Sequence, residues 1–521
     1  MAATQEELIR GLQDPSAFDH PVERFEVVET HISWVMLTGS YAYKIKKTVD
    51  FGFVDFSTLE RRCFFCNEEL RLNRRLAPEL YLDVVSLNGD VRRPVVNGPG
   101  RVLDYAVKMR QFPRTAELDF VLERGELTAE QVEDLGRQVA EFHETIPADS
   151  KQSPFGEASV VHGNTMANFS EISERLTDPQ EIADLEKLQG WSEARHTRHL
   201  ADFSERKANG FVRECHGDMH LANMVLLDGR IAIFDGIDFN EKLRWIDVMS
   251  EVAFLIMDLE SRSRSDLAFR FLNTYLEQTG DYKGVRLLHY YLVYRALVRA
   301  KVAVIRALQE PEQLSDRRRL EERCAHLVQL ATSYTREHKP LLAITHGLSG
   351  SGKSTFSAKL VDAGKAIRVS SDVERKRLHG LKPLEQSLSG VRSGIYSAEA
   401  TEKTYGRLAE LSENILQAGF TTLVDATFLR YEHRLRFAKL AEELGVPFRI
   451  LRFEASQQEL RRRLVERSRL GADASEADRK VLEQQLSRRE PIKKCELPFV
   501  REIDTTAAPA FVETWAALGD T

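Results

Sequence analysis

The sequence predicts two domains of different fold class: an N-terminal α+β domain with two lobes and a C-terminal α/β domain with a parallel sheet. Its 521 residues are roughly three to four times the length of a typical domain of ~150 residues. Near the N-terminus apolar and polar residues alternate as in strands, and a long helical portion follows. After about residue 338, short apolar runs alternate with helical segments, a pattern typical of a parallel sheet.

The first predicted domain covers residues 1–337, with a strand-rich lobe over about 20–112 and a helical lobe over about 113–337. Between residues 25 and 47 the alternation predicts antiparallel strands, with a turn at 38–40. A helix is expected over 58–76, where the composition favours helix and a proline follows.

The second predicted domain covers residues 338–521. Its predicted strands are the apolar runs LLAIT, AIRVSS, TTLVDA and FRILRF. An arginine-rich segment over about 457–490 contains a Gly-Ala-Asp-Ala-Ser interruption between two helical halves. We expect this segment to be a lid that closes over a bound nucleotide.

The composition is that of a globular enzyme, with 42% hydrophobic and 29% charged residues. A net charge of −7 gives no overall attraction to nucleic acid or to an anionic membrane. No apolar run approaches the ~20 residues that a membrane span needs, and the N-terminus lacks the pattern of a signal peptide. The sequence therefore predicts a cytoplasmic protein.

The stretch GLSGSGKS at 347–354 matches the pattern GxxxxGK[ST] between a predicted strand and a predicted helix. In such a loop, glycines let backbone N–H groups approach phosphate oxygens, a lysine neutralises the β- and γ-phosphates, and a serine ligates Mg²⁺. ATP and Mg²⁺ are thus the predicted cofactors. The predicted nucleotide-binding residues here are Gly347, Ser349, Gly350, Ser351, Gly352, Lys353, Ser354 and Thr355.

Further side chains of this domain are candidates for the reaction. Asp372 follows the next strand, where it could position or deprotonate an acceptor hydroxyl, and Arg375 could hold an anionic part of the acceptor. The alternative is that Asp372 is an ordinary helix cap. Asp425 ends a hydrophobic strand and is a candidate Mg²⁺ ligand. In the lid, Arg467 or Arg463 could contact the transferring phosphoryl group, unless the helix is merely a solvated basic one.

A second constellation occurs at HGDMHLAN, residues 216–223. Asp218 precedes Asn223 by five residues, and Asp235 follows twelve residues later, after a strand-like run. This is the spacing of a kinase catalytic loop and its metal-binding aspartate. Asp218 would orient the acceptor or accept its proton, while Asn223 and Asp235 would hold Mg²⁺.

The HGDxHxxN pattern resembles the aminoglycoside phosphotransferase and choline kinase family over roughly residues 20–335. The resemblance implies a protein-kinase-like bilobal fold, with a strand lysine that contacts the ATP phosphates and a helix glutamate that pairs with it. Lys44 is the expected lysine, with Lys46 as the alternative, and Glu69 is the expected glutamate, with Glu68 as the alternative. The sequence departs from the family at 29–33, where no glycine loop is present to cover the phosphates.

Residues 340–510 resemble the small P-loop kinases of the gluconate kinase, zeta-toxin and polynucleotide-kinase type. In these relatives the aspartate after the second strand contacts the accepting hydroxyl, which implies this role for Asp372. Their acceptors range from sugars to nucleotide sugars and polynucleotide ends. The resemblance therefore implies the reaction but not the substrate.

The sequence thus predicts two ATP- and Mg²⁺-dependent kinase sites that act on hydroxyl groups of small molecules. Arg295 and Arg299 lie four residues apart on a predicted helix and require anionic partners, either structural carboxylates or an anionic acceptor. Asp238 and Asp247 are expected to be structural supports. One alternative is that the N-terminal domain only senses nucleotide and controls the P-loop kinase. Another is a kinase for nucleotides or nucleic-acid ends. The oligomeric state is not predicted.

Overall fold

The computed structural model describes residues 2–52, 54–150, 152–176, 178–309, 315–337, 339–387, 394–470 and 479–504. The chain forms two compact units. The first consists of Met1–Gln131, Thr145–Val160 and Ser204–Leu255. The second consists of Val132–Glu144, Val161–Phe203 and Ile256–Thr521. The second unit therefore contains helices that precede the P-loop, and the boundary predicted near residue 338 falls inside it.

Six of the described strands form an antiparallel sheet in the first unit. They are β1 (Glu26–Glu29), β2 (Ser33–Leu37), β3 (Tyr41–Lys46), β4 (Tyr81–Asp90), β5 (Arg93–Val96) and β6 (Val102–Arg110), in the order β1-β2-β3-β6-β4-β5. The helices of this region are α1 (Ala2–Gly11) and α2 (Leu59–Asn73). Thr58 caps α2, since its hydroxyl accepts a hydrogen bond from the backbone N–H of Arg61 at 3.2 Å. Because side chains alternate along a strand, Lys44 and Lys46 lie on the same face of β3.

Helices predominate between residues 113 and 337. They are α3 (Leu118–Glu123), α4 (Ala129–Thr145), α5 (Ala158–Ser173), α6 (Pro179–Arg198), α7 (Leu200–Ala208), α8 (Glu241–Arg244), α9 (Val248–Ser261), α10 (Ser265–Thr279), α11 (Leu288–Gln309) and α12 (Ser315–Ser333). Short strands interrupt them: β7 (Val212–Glu214) pairs with β10 (Trp245–Asp247), and β8 (Met224–Leu227) pairs with β9 (Arg230–Ile233). Asp228 and Gly229 join β8 to β9 with φ angles of 50° and 78°, as a two-residue hairpin turn requires.

The P-loop region of the second unit is a parallel sheet with helices, as the sequence predicts. Its strands are β11 (Leu342–His346), β12 (Ile367–Ser370), β13 (Thr422–Asp425), β14 (Phe448–Glu454) and β15 (Val500–Asp504), in the order β12-β13-β11-β14-β15. Its helices are α13 (Lys353–Gly364), α14 (Ser371–Arg377), α15 (Ala398–Gln417), α16 (Tyr431–Leu444), α17 (Gln457–Leu470) and α18 (Arg479–Arg488). Strand β15 has no counterpart among the predicted strands.

The central strand β11 is buried along its whole length, which explains its run of apolar residues. Leu341, Phe356, Leu360, Leu423 and Leu451 form part of the core around it. Parallel strands end at one edge of their sheet, so the P-loop after β11, helix α14 after β12 and Asp425 at the end of β13 come together there. Among the helices that the structure describes, none is long and apolar enough to cross a membrane.

Candidate active sites

A buried network of lysines and carboxylates occupies the first unit. Lys44 Nζ lies 2.8 Å from Glu69 Oε1 and 2.5 Å from Asp235 Oδ1. Lys46 Nζ lies 2.7 Å from Glu69 Oε2 and 2.5 Å from Asp238 Oδ2. One glutamate of α2 therefore bridges both lysines of β3. The alternative Glu68 is directed elsewhere, since it pairs with Arg71 at 2.8 Å.

Charge balance keeps Glu69 ionised in this network. Burial alone would raise the pKa of Glu69, but the ammonium groups of Lys44 and Lys46 outweigh burial and lower that pKa to about 2. The Lys46 side chain is 0% exposed, whereas 15% of Lys44 and 48% of Asp235 reach solvent. Lys44 is thus the lysine on the open side of the network, and Lys46 joins Glu69 to Asp238 beneath it.

The loop with Asp218 is held in a defined conformation by its own side chains. Asn223 Nδ2 donates to Asp218 Oδ2 and to the Asp218 carbonyl, each at 3.0 Å. His220 Nε2 lies 3.3 Å from the same carboxylate oxygen. About a third of the Asp218 side chain is exposed, at 34%. Asp218 is therefore oriented by protein groups and remains open on one side.

The spacing between Asn223 and Asp235 follows from the β8–β9 hairpin. The N–H of Phe234 donates to the Asn223 carbonyl at 2.9 Å, so the residues that flank the hairpin lie side by side. Asp235 has a φ of 61°, and its N–H donates to the Tyr81 hydroxyl at 3.0 Å. The Asn223 amide and the Asp235 carboxylate offer the oxygen ligands that Mg²⁺ prefers, so these residues fit the predicted metal.

His216 and Gly217 connect this loop to its surroundings. His216 Nε2 donates to the Phe234 carbonyl at 2.9 Å, and its Nδ1 accepts from the Asp218 N–H at 3.3 Å. Burial lowers the pKa of His216, in agreement with a neutral ring. Gly217 has a φ of 89°, and a Cβ there would lie 2.8 Å from the Leu243 carbonyl oxygen. Close packing thus explains why a glycine follows the histidine.

The connection between β1 and β2 is a short hairpin. The N–H of Thr30 donates to the Ser33 carbonyl at 2.8 Å, and the Thr30 hydroxyl donates to the same oxygen at 3.0 Å. This geometry agrees with the absence of a glycine loop at 29–33. Asp247 forms two hydrogen bonds with Arg206, at 2.6 and 2.8 Å, and Asp238 pairs with Lys46. Both aspartates thus have structural partners.

The P-loop of the second unit wraps tightly between β11 and α13. Gly350 and Gly352 have φ angles of 83° and 88°, which glycine adopts without strain. A Cβ on Gly347 would lie 2.6 Å from the Phe453 carbonyl oxygen. Lys353 Nζ donates to the carbonyls of Gly347 and Leu348 at 2.9 and 2.8 Å. The lysine therefore lies over the loop that is predicted to bind the nucleotide, where it would neutralise the charge of the nucleotide phosphates.

Ser354 and Asp425 meet beside the loop. The Ser354 side chain hydrogen-bonds the Asp425 carboxylate, which is 5% exposed. Burial raises the pKa of Asp425, while Arg368 and Lys353 act to lower it. A serine hydroxyl next to a carboxylate is a suitable ligand pair for Mg²⁺. Arg368 was not among the predicted site residues, because only the fold brings β12 to this position.

Helix α18 reaches the P-loop through one side chain. Gln485 Oε1 accepts from the Ser349 N–H at 2.8 Å, and Gln485 Nε2 donates to the Ser349 hydroxyl at 2.9 Å. A cleft of about 420 Å³ adjoins the loop, lined by Leu348, Ser351, Phe453, Glu454, Ala455, Ser456, Leu460 and Arg489. A glutamine in a helix carries no signal in the sequence, so this contact could not be predicted.

The residues after β12 occupy α14. Ser370 is the N-cap, and Asp372 lies in the first turn, so the alternative of Asp372 as the cap is wrong. Arg375 is buried and donates to the Ile395 carbonyl at 2.9 Å and to the Thr401 hydroxyl at 3.3 Å. Arg375 therefore holds the 394–396 turn in place, and a contact with an acceptor stays a prediction.

Three arginines of the predicted lid, all on α17, are paired with glutamates. Arg461 contacts Glu483 at 2.8 Å, and Glu459 accepts from Arg463 at 2.6 Å and from Arg462 at 2.8 Å. The side chain of Arg467 and residues 471–478 of the lid lie outside the described residues. The role of a lid arginine in phosphoryl transfer stays a prediction.

The two arginines proposed for an acceptor pocket lie on α11. Arg295 is buried, with its guanidinium 5.2 Å from the ring of Tyr294. Arg299 is half-buried and lies near Arg323 of α12, which in turn is near Asp258 of α9. Both arginines thus lie on a helix of the second unit, and a contact with an acceptor stays a prediction.

Comparison with known proteins agrees with both kinase-type domains. Residues 113–288 match the model of the phosphotransferase enzyme family, and residues 342–492 match the model of an AAA domain. The first match includes Asp218, Asn223 and Asp235, and the second includes the P-loop. The chain thus combines two kinase-type domains and is a phosphotransferase. The prediction of a kinase-like N-terminal domain and an α/β P-loop domain is confirmed.

Similar proteins span nearly the whole chain. Uncharacterized proteins of Mycobacterium tuberculosis and Mycobacterium bovis are each 28% identical over 469 residues, which are 88% of this chain and 89% of theirs. A choline/ethanolamine kinase family protein from Mesorhizobium loti aligns with 64% of this chain and 99% of its own, at TM-score 0.39 and 12% identity. A gluconokinase from Sinorhizobium meliloti aligns with 35% of this chain and 95% of its own, at TM-score 0.25 and 17% identity.

Proposed function

We propose that this phosphotransferase is bifunctional and moves the γ-phosphoryl group of ATP to hydroxyl groups of small molecules at two separate sites. In each reaction the acceptor oxygen bonds to the γ-phosphorus, the bond to the β-phosphate oxygen breaks, and ADP leaves. One observation supports the proposal. Each domain brings together, within its own fold, a lysine, a carboxylate and side-chain oxygens that can bind Mg²⁺.

In the first site Asp218 acts on the acceptor. It orients the hydroxyl and accepts its proton, since Asn223 and His220 hold one carboxylate oxygen while part of the side chain is open. Lys44 contacts the nucleotide phosphates, with Glu69 as its partner. Asn223 and Asp235 would hold Mg²⁺, which neutralises charge on the phosphates when bound.

In the second site the P-loop backbone and Lys353 bind the nucleotide phosphates. Ser354 and Asp425 would hold Mg²⁺, since the exposed Ser354 side chain hydrogen-bonds the buried Asp425 carboxylate. Asp372, in the first turn of α14, positions the acceptor hydroxyl and takes its proton. The acceptor is a small molecule, because the described arginines of α17 are paired with glutamates and form no basic track for a polynucleotide.

A second candidate function follows from the β1–β2 hairpin. Its backbone and threonine hydrogen bonds close it after three residues, which leaves little chain to cover a triphosphate. In this alternative the first domain binds nucleotide without transferring phosphate and controls the P-loop kinase. Asp218 would then be dispensable for every product.

Product analysis distinguishes these functions. The full chain is incubated with Mg-ATP and pooled hydroxyl metabolites, nucleosides and 5′-hydroxyl oligonucleotides, and products are followed by ³¹P NMR. Asp218→Asn and Lys353→Ala are each expected to remove a different product. If Lys353→Ala removes every product and Asp218→Asn removes none, the first domain is a sensor. Phosphorylated oligonucleotide ends as the main product would contradict a small-molecule acceptor.

A further inference from the structure

Helix α10 packs on the outer edge of the P-loop sheet within the second unit. Strand β12 is at the edge of the sheet, where backbone groups lack a neighbouring strand. Asn273 of α10 takes the place of that strand: its Oδ1 accepts from the Arg368 N–H at 2.6 Å, and its Nδ2 donates to the Ala366 carbonyl at 3.0 Å. The Tyr282 hydroxyl donates to the Arg368 carbonyl at 3.4 Å. The backbone of Arg368 is thus held by a helix that comes earlier in the chain.

The side chain of Arg368 pairs with Glu277 and lies on the same face of the sheet as Asp425, because Arg368 is opposite Leu423, two residues before Asp425. Its Nε and Nη2 donate to Glu277 Oε1 at 2.9 and 2.6 Å, although these residues are 91 positions apart in the sequence. Its Nη1 donates to the Ser354 carbonyl at 3.3 Å, and its charge acts on Asp425. Arg368 therefore adjoins the residues proposed to hold Mg²⁺, and Glu277 is the carboxylate that accepts its hydrogen bonds.

Helix α10 also contacts α14, the helix that carries Asp372, the residue proposed to position the acceptor hydroxyl. Arg377 of α14 donates to the Glu277 carbonyl at 2.6 Å and to the Gln278 carbonyl at 3.2 Å. These carbonyls belong to the last turn of α10, where backbone carbonyls have no N–H partner within the helix. The C-terminal turn of α10 thus anchors α14 as well as Arg368.

We propose that Glu277 is a positioning residue of the P-loop kinase site, which holds the Arg368 guanidinium and so keeps Asp425 available to Mg²⁺. The inference rests on the proposed function of that site. With Glu277 present, the charge of Arg368 is shared between two carboxylates. Without it, the guanidinium turns its full charge on Asp425 and competes with the metal ion.

Nucleotide binding with and without metal tests this role. ADP binding to the full chain is measured by calorimetry at increasing Mg²⁺ concentrations, and Lys353→Ala identifies the heat from the P-loop site. Glu277→Gln is expected to raise the Mg²⁺ concentration at which the effect on ADP binding is half-maximal. We expect a rise of about three- to tenfold, which is the scale of coupling between neighbouring side chains. Binding of ADP without Mg²⁺ is expected to stay unchanged, whereas general damage to the site would weaken it too.

Two further variants separate the charge effect from packing. Asp362→Asn removes the ion pair of α13 with Arg270, also on α10, and is expected to leave the Mg²⁺ dependence at its native value. Glu277→Gln combined with Arg368→Gln removes both charges and is expected to return the Mg²⁺ requirement toward the native value.

Any of three results with the variants would overturn the inference. They are a folded Glu277→Gln protein with native Mg²⁺ dependence, an equal shift in Asp362→Asn, and a double variant no better than Glu277→Gln. The inference would also be overturned if the P-loop site of the native chain bound ADP equally well at every Mg²⁺ concentration. Nucleotide binding at that site would then still stand. A native chain without ADP binding at that site would instead refute the proposed function and the inference together.

Discussion

The two sites place a lysine by different physical means. In the first unit the Lys44 ammonium is held by carboxylates of Glu69 and Asp235, which come from elements far apart in the sequence. In the second unit Lys353 rests on backbone carbonyls of its own eight-residue loop. A side-chain network depends on the whole fold around it, whereas a backbone loop depends mainly on local sequence. The first site should therefore be the more sensitive to loss of a single charge.

Removal of the shared carboxylate is expected to have the largest effect. Glu69→Gln leaves two lysines without their common partner in a buried position, and we expect a loss of about 3–5 kcal/mol in the free energy of unfolding. Denaturant unfolding followed by tryptophan fluorescence and circular dichroism measures this loss. Glu68→Gln is the matched control, because its closer partner Arg71 is half exposed and its contact with Arg244 is long, at 3.8 Å, so we expect less than about 1 kcal/mol. Equal losses in the two variants would contradict the network.

A buried histidine in the second unit gives the next largest effect. His346 Nδ1 donates to the Phe428 carbonyl at 3.0 Å, and burial lowers the pKa of His346 to about 4. The folded state thus favours the neutral ring. The contribution of His346 to the free energy of unfolding is therefore fully present above pH 6.5 and is lost as the pH falls from 6.5 toward 4. Between pH 7 and pH 5 this loss is about 2 kcal/mol.

The variant His346→Gln isolates this contribution from that of the carboxylates. Denaturant midpoints of the native and variant proteins at pH 7 and pH 5 give the comparison. We expect the variant to be less stable at pH 7 and to lose less stability on acidification. Parallel pH profiles for the two proteins would contradict this, because they would show that His346 is protonated equally in the folded and unfolded states in this pH range.

A neutral contact of the P-loop should give the smallest effect. Gln485 forms two hydrogen bonds with Ser349, and Gln485→Ala is expected to reduce the unfolding free energy by about 1 kcal/mol. The neighbouring Gln484→Ala serves as the control. A loss as large as that of Glu69→Gln would erase the distinction between a charged network and a backbone loop.

The same distinction explains which parts could be predicted from sequence. The P-loop is contiguous, so GLSGSGKS revealed its strand, its helix and its phosphate-binding residues together. Asp218, Asn223 and Asp235 were recognisable because one hairpin fixes their spacing. The sequence favours Lys44 over Lys46 although the two share a face of β3, and only the fold shows that Lys44 is the one that reaches solvent. Arg368, Glu277 and Gln485 were missed because their roles depend on elements that meet only in three dimensions.

The central claim is that one chain holds two independent nucleotide sites. Calorimetric titration of the full chain with a non-hydrolysable ATP analogue and Mg²⁺ tests it most directly. We expect two nucleotides per chain, with Lys44→Ala and Lys353→Ala each removing one. A single nucleotide per chain that Lys353→Ala abolishes and Lys44→Ala leaves intact would contradict the claim.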